Sequence, residues 1–123
     1  MINKSHSDNT EQLVGSIIEG IKELKGKSIV KIDMTEIKNS LWDSFIICEG
    51  DSNIHVSAIA DSVERFAFLQ QQEKPRHIEG LENAHWVLID FFGIVVHIFQ
   101  KEYRDFYKLE DLWSDGKLIN IAD

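Results

Sequence analysis

The segment EGDSNIH places Gly50 and Ser52 between an apolar run and residues with helical spacing. A helix that begins here would offer free backbone amides, which can bind a phosphate or a carboxylate. The segment lacks GxGxxG and any GKS or GKT, so it indicates neither dinucleotide nor P-loop binding. A turn with Ser52 as the helix N-cap explains the same residues without a ligand.

The histidines have no spacing typical of a metal site. The sequence has no HExxH, and Cys48 has no second cysteine, so we expect no metal and no cofactor. A triad of Ser52, His97 and Asp61 would need a GxSxG elbow around the serine, which is missing. His97 lies inside an apolar run, as core histidines commonly do.

Carboxylates are the third candidate for chemistry, because nucleotidyl transfer needs two or three of them around Mg²⁺. Gly50 and Ser52 resemble the Gly-Ser turn that opens such sites, but no DxD pair follows on a neighbouring strand. Glu79 and Asp90 are isolated acids on separate predicted strands. We therefore predict that the protein is not an enzyme. A nucleotide-binding or nucleotidyltransferase-like enzyme that uses the turn from Gly50 to Ser52 is the alternative.

The segment YRDFYKLEDLW is typical of a helix with aromatic and acidic residues along one side. At helical spacing, one stripe contains Tyr103, Phe106, Tyr107, Glu110 and Trp113. Core stripes are more often Leu, Ile and Val, whereas Tyr and Trp beside acids are typical of partly exposed interfaces. Composition leaves both core packing and a docking face open.

Length and charge restrict the class of protein. The chain has 123 residues, 43% of them hydrophobic, and a net charge of −8, which predicts one domain with an acidic surface. Such a surface disfavours extensive nucleic-acid binding and favours basic partners. No apolar run predicts a membrane span or signal region, and a single cysteine is typical of reducing surroundings, so we expect a cytoplasmic protein.

Apolar periodicity predicts the element order α-β-β-α-β-β-β-α. The first helix is expected to follow a capping box at Asp8 and Glu11 and to end at Gly26. SFIICEG is a continuous apolar run typical of a strand covered on both faces, and Phe92-Gly93 predicts a hairpin. The predicted fold class is α/β, a mixed five-stranded sheet with helices on both faces.

The predicted domain organisation is simple. We expect a disordered N-terminal segment 1–8, a single domain 9–115 and a C-terminal tail 116–123 that covers a sheet edge. Within the domain, the strand Ser44–Glu49, its helix and a following strand should form a right-handed crossover.

Four segments resemble, in order and spacing, the ribosomal silencing factor family, also called the iojap family: SFIICEGDSNIHVSAIADSVE, IEGLENAHWVLIDF, VVHIF and YRDFYKLEDLWSD. The resemblance implies a nucleotidyltransferase-like topology without the catalytic acids. It also implies binding to the large ribosomal subunit through its fourteenth ribosomal protein, which blocks joining of the small subunit and represses translation. Organelle relatives are tied to ribosome assembly, so an assembly factor that uses the same surface is a further possibility.

The resemblance places the protein-binding face on the late strands and the last helix. Aromatic residues there would supply buried area, and acidic ones would pair with Arg or Lys of the ribosomal protein. By motif position the implied residues are Glu79, Trp86, Asp90, His97, Tyr107, Leu109, Glu110 and Trp113. Gly93 stands where many members have an aspartate. An apolar face on the late strands also predicts a homodimer of the free protein.

Overall fold

The computed structural model describes the backbone of residues 2–122 and the side chains of residues 9–122. Within that part of the chain, six strands and four helices alternate largely as the periodicity predicts. In chain order they are α1 Ile2–Glu23, β1 Lys27–Asp33, β2 Ser44–Gly50, α2 Asn53–Gln71, β3 His77–Glu79, β4 Trp86–Phe91, β5 Ile94–Gln100, α3 Lys101–Tyr107, α4 Leu109–Leu112 and β6 Lys117–Asn120. No helix among the described residues is long and apolar enough to cross a membrane.

The strands form one mixed sheet in the order β3-β4-β5-β2-β1-β6. β2 and β5 are parallel, with Ser44 opposite Ile94, and every other neighbouring pair is antiparallel. The chain leaves β2 through α2, reaches β3 at the far edge, and returns through β4 and β5. This confirms the predicted mixed sheet.

The predicted count of five strands is wrong, because the tail supplies a sixth. β6 pairs with β1 in antiparallel register, with Leu118 opposite Ile32. Gly116 makes the approach possible, since a Cβ there would lie 2.5 Å from Cγ2 of Ile32 and 3.1 Å from the Asp33 carbonyl oxygen. This short edge strand is held by backbone hydrogen bonds and has no apolar alternation, so the apolar periodicity of the sequence did not predict it.

Helices cover both faces of the sheet, as predicted. β2 and β5 are buried along almost their whole length, because they lie at the centre of the sheet. On one face Ile46, Val87 and Val96 form a core with residues of α1 and α2. On the other face Phe45, Ile47, Val95 and Phe99 form a second core, which Leu109 of α4 completes.

Helices α1 and α2 pack closely against each other. A Cβ at Gly20 would lie 3.0 Å from both the Ser62 carbonyl oxygen and the Val63 Cα, and the Ser62 hydroxyl donates a hydrogen bond of 2.8 Å to the Gly20 carbonyl. Helix α1 begins at Ile2, so the capping box predicted at Asp8 does not mark its start. The predicted disorder of segment 1–8 concerns residues whose side chains lie outside the described part of the chain.

The hairpin predicted at Phe92-Gly93 joins β4 to β5. Phe92 adopts a φ of 69°, and the Asp90 carboxylate accepts a hydrogen bond of 2.9 Å from its amide. A Cβ at Gly93 would lie 2.7 Å from Oδ2 of Asp43, so a side chain at this position would displace the Asp43 carboxylate.

The predicted last helix is broken into α3 and α4 at Lys108, where φ is 50° and ψ is 52°. The expected stripe from Tyr103 to Trp113 is therefore wrong as a single helical stripe. The break directs Leu109 into the core. It also lets the Glu110 carboxylate accept a hydrogen bond from Arg104, six residues earlier, which would lie on a different side of a continuous helix.

The guanidinium of Arg104 is buried and donates four hydrogen bonds. Its Nη1 donates to the Ser28 carbonyl at 2.8 Å and to the Glu49 carboxylate at 3.0 Å. Its Nε and Nη2 donate to the Glu110 carboxylate at 3.0 and 2.7 Å. This network joins α3, α4 and the strands β1 and β2, because a buried guanidinium is stable only when its donors are satisfied.

We expect Arg104→Met to lower the free energy of unfolding by about 3 kcal/mol, because it leaves two partly buried carboxylates without their cation. Urea unfolding measures this loss. Arg65→Met is the matched control, since Arg65 forms an exposed pair with Asp61 at 3.0 Å. The control should lose less than about 1 kcal/mol. Equal losses in both variants would show that the Arg104 network contributes no more than a surface ion pair.

Candidate functional site

The register of β3, β4 and β5 places the implied strand residues on one face of the sheet. Glu79 pairs with Leu88, and Leu88 pairs with His97. Trp86 and Asp90 each lie two positions from Leu88 along β4, so all three side chains point to the same side of the sheet. The two short helices α3 and α4 lie over this side as well, since Leu109 belongs to its core. The sequence-predicted residues therefore share one face, which we call the late-strand face.

Trp86 is held in place by contacts from three directions. Its indole Nε1 donates a hydrogen bond of 3.0 Å to Nδ1 of His97. Its ring stacks on Phe99 and lies against Tyr107, with centroid separations of 4.9 Å in both cases. The indole is only partly buried, so a fixed part of its surface remains open to solvent.

His97 is the buried residue behind Trp86, with 3% of its surface exposed. Because Nδ1 accepts from Trp86, the neutral ring carries its proton on Nε2. That atom has no hydrogen-bond partner among the described residues. Burial lowers the pKa of the His97 imidazole to about 3, so the ring stays neutral near neutral pH.

Trp113 and Leu109 contribute mainly to the packing of this face. Leu109 is buried in the core. The Trp113 ring meets Phe45 edge-on at 5.5 Å and Trp42 at 5.7 Å. Phe45 in turn lies 4.6 Å from His97. A continuous aromatic layer therefore connects α4 to the ring that orients Trp86.

Each of the three implied acidic residues has a basic partner within the chain. Glu79 contacts Nε2 of His77 at 2.6 Å, Asp90 accepts from Arg76 at 2.8 Å, and Glu110 accepts from Arg104. The Glu79 side chain is 66% exposed, whereas that of Asp90 is 12% exposed. A cation of a partner protein would have to compete with these internal pairs. Their role toward a partner stays a prediction.

The structure adds exposed apolar residues that the motif comparison did not assign to the site. Phe106, Leu112 and Leu81 are exposed, and Phe106 contacts Tyr107 at 5.1 Å. Phe106 was part of the predicted stripe, but Leu112 was not. The break at Lys108 explains the difference, because it changes which residues of the last segment face solvent.

The alternative site at Gly50 and Ser52 is occupied by contacts within the chain. The Ser52 hydroxyl accepts from the His55 amide at 3.1 Å, which confirms Ser52 as the cap of α2. The Asp51 amide donates to Nδ1 of His55 at 2.9 Å, and Nε2 of that ring donates to the Leu24 carbonyl at 2.6 Å. A phosphate would have to displace these contacts. No cluster of three His, Cys, Asp or Glu suited to a metal ion occurs among the described residues.

The buried neutral state of His97 predicts a pH dependence of stability. Below its ordinary pKa the unfolded chain protonates this imidazole, whereas the folded chain does not do so until about pH 3. The free energy of unfolding should therefore fall as the pH falls. Between about pH 7 and about pH 5 we expect wild type to lose about 2 kcal/mol more than His97→Gln in urea unfolding. Parallel losses in the two proteins would contradict the buried neutral imidazole.

The chain is similar to known proteins over most of its length. A family model described as ribosomal silencing factor during starvation matches residues 7–123. The chain is 35% identical over 113 residues to a Halalkalibacterium halodurans protein named ribosomal silencing factor RsfS, which covers 92% of this chain and 95% of that one. It is 34% identical over 86 residues to a Mus musculus protein named mitochondrial assembly of ribosomal large subunit protein 1, covering 65% and 38%.

A crystal structure of a Chromobacterium violaceum protein has the same fold. It superposes with a TM-score of 0.79 at 32% identity and covers 92% of each chain. Sequence and fold thus agree over nearly the whole domain. The chain belongs to the ribosomal silencing factor family.

Proposed function

We propose that this chain binds the large ribosomal subunit through its fourteenth ribosomal protein and thereby prevents the small subunit from joining. Translation would be repressed by occupation of a surface, without catalysis, in the cytoplasm. The observation that carries the proposal is the partly exposed indole of Trp86, which His97, Phe99 and Tyr107 fix in place. The family name supports silencing, and the name of the mouse relative supports the large subunit.

The late-strand face has the physical properties of a protein-binding surface. Trp and Tyr dominate binding energy at interfaces because each ring buries much area and loses few rotamers. Trp86 is already oriented by its hydrogen bond to His97, so little conformational entropy would be lost on binding. The exposed rings of Tyr107 and Phe106 extend the apolar surface beside it.

Charge supports a basic partner. The chain carries 21 acidic and 13 basic residues, and proteins that bind ribosomal RNA are commonly basic. Opposite charge would accelerate association, and added salt would weaken it. Glu79 is the most accessible of the three implied acids, so it is best placed to exchange His77 for a cation of the partner.

A role in assembly of the large subunit is the second candidate, which the name of the mouse relative supports. It would use the same partner and face. Association with precursor particles rather than mature large subunits would favour it. The same exposed apolar residues, Phe106, Tyr107 and Leu112, would also pair two free copies of the chain, and binding to the subunit would compete with that homodimer.

We expect Tyr107→Ala to weaken binding to purified large subunits by about 2 kcal/mol or more, as truncation of a central aromatic residue does. Trp86→Ala should weaken it at least as much, because it also leaves His97 without its donor. Quantitative cosedimentation measures both affinities.

Phe68→Ala on α2 is the matched control for Tyr107→Ala. The two rings are similarly exposed, at 47% and 49%, but Phe68 lies on the helix that covers the other face. The control should bind as wild type does. Normal binding of both Trp86→Ala and Tyr107→Ala would show that the late-strand face is not the docking site.

A further inference from the structure

A pocket of about 360 Å³ lies beside Trp86, between the loop that follows β3 and helix α3. Of the residues that line it, only Trp86 and Tyr107 are among those that the resemblance assigns to the protein-binding face. The side chains that matter for its chemistry are Leu81, Glu82, His85, Trp86, Tyr103 and Tyr107.

Aromatic contacts fix the walls of this pocket. The His85 and Tyr103 rings stack with centroids 4.1 Å apart and planes 8° apart. Trp86 and Tyr107 meet at 4.9 Å on the neighbouring side. Four rings therefore line one small space, and neighbouring rings hold each other in position.

Two hydrogen bonds from Gln100 hold the loop that closes the pocket. The Gln100 amide donates to the His85 carbonyl at 2.9 Å, and its side chain donates to the Ala84 carbonyl at 3.1 Å. Gly80 has a φ of 91°, and a Cβ there would lie 2.1 Å from the Trp86 carbonyl oxygen. This close approach of the loop to β4 requires glycine.

The charge of the pocket is negative. Glu82 is exposed at its margin, and no Lys or Arg is among the described residues that line it. No hydrogen bond or ion pair engages the Glu82 carboxylate within the described part of the chain, in contrast to the internal pairs of Glu79, Asp90 and Glu110. Aromatic rings beside a free carboxylate favour a cation, which interacts with both.

We propose that this pocket receives a cationic side chain, an arginine or a lysine, of the protein to which the late-strand face docks. The inference rests on the proposed function and adds a specific contact to it. Arginine suits the site best, because its planar guanidinium stacks on aromatic rings while it donates to a carboxylate. An apolar side chain is the rival occupant, and it would gain nothing from Glu82.

The charge is tested by Glu82→Gln and Glu82→Lys, with purified large ribosomal subunits as the probe over a range of salt concentrations. We expect Glu82→Gln to weaken binding about 5-fold and to reduce its salt dependence, and Glu82→Lys to weaken it at least about 20-fold through like-charge repulsion. Glu23→Gln, an exposed residue at the end of α1, is the matched control and should bind as wild type does.

The aromatic wall is tested by Tyr103→Phe and Tyr103→Leu. Phenylalanine keeps a ring for the cation and should bind within about 2-fold of wild type, whereas leucine removes it and should weaken binding about 5-fold. If Glu82→Gln binds as tightly as wild type with the same salt dependence, the pocket does not receive a cation, although the docking proposal stands. If wild type itself fails to bind large subunits, both proposals fall.

Discussion

The position of the two short helices depends on the buried guanidinium of Arg104. It joins Glu110 at the start of α4 to Glu49 on β2 and to the Ser28 carbonyl on β1. Satisfying this cation requires Glu110 to return toward α3, which the left-handed residue Lys108 allows. The same turn buries Leu109 and leaves Tyr107 beside Trp86. The arrangement of the late-strand face therefore follows from the partners of one buried charge.

The second constraint is the hydrogen bond from Trp86 to His97. Burying an imidazole whose Nε2 has no hydrogen-bond partner among the described residues costs stability. An apolar residue in its place would avoid that cost but would leave the Trp86 indole without its acceptor. The arrangement instead fixes a partly buried indole in one orientation. A rigid aromatic residue loses little conformational entropy on binding. The stability lost on burying His97 is therefore accompanied by a gain in binding affinity from a preorganised surface. Such a balance supports the proposed function, in which the chain acts by occupying a surface.

Sequence patterns predicted the elements that depend on local periodicity. They did not predict features that depend on contacts between residues distant in sequence. The continuous apolar runs of β2 and β5 correctly indicated central strands, and Ser52 correctly indicated a helix cap. The break at Lys108 could not be predicted, because it depends on Glu49 and Ser28, which are far from Arg104 in sequence. β6 has no apolar alternation to reveal it. The internal partners of Glu79, Asp90 and Glu110 likewise follow from the folded arrangement.

The proposed function is tested most directly by joining purified large and small subunits in the presence of the chain and separating the products by sedimentation. We predict that an excess of wild type lowers the amount of assembled ribosomes and that the chain sediments with free large subunits. Tyr107→Ala at the same concentration should leave more ribosomes assembled. If the chain binds the large subunit and joining proceeds at its normal extent, steric occlusion is contradicted.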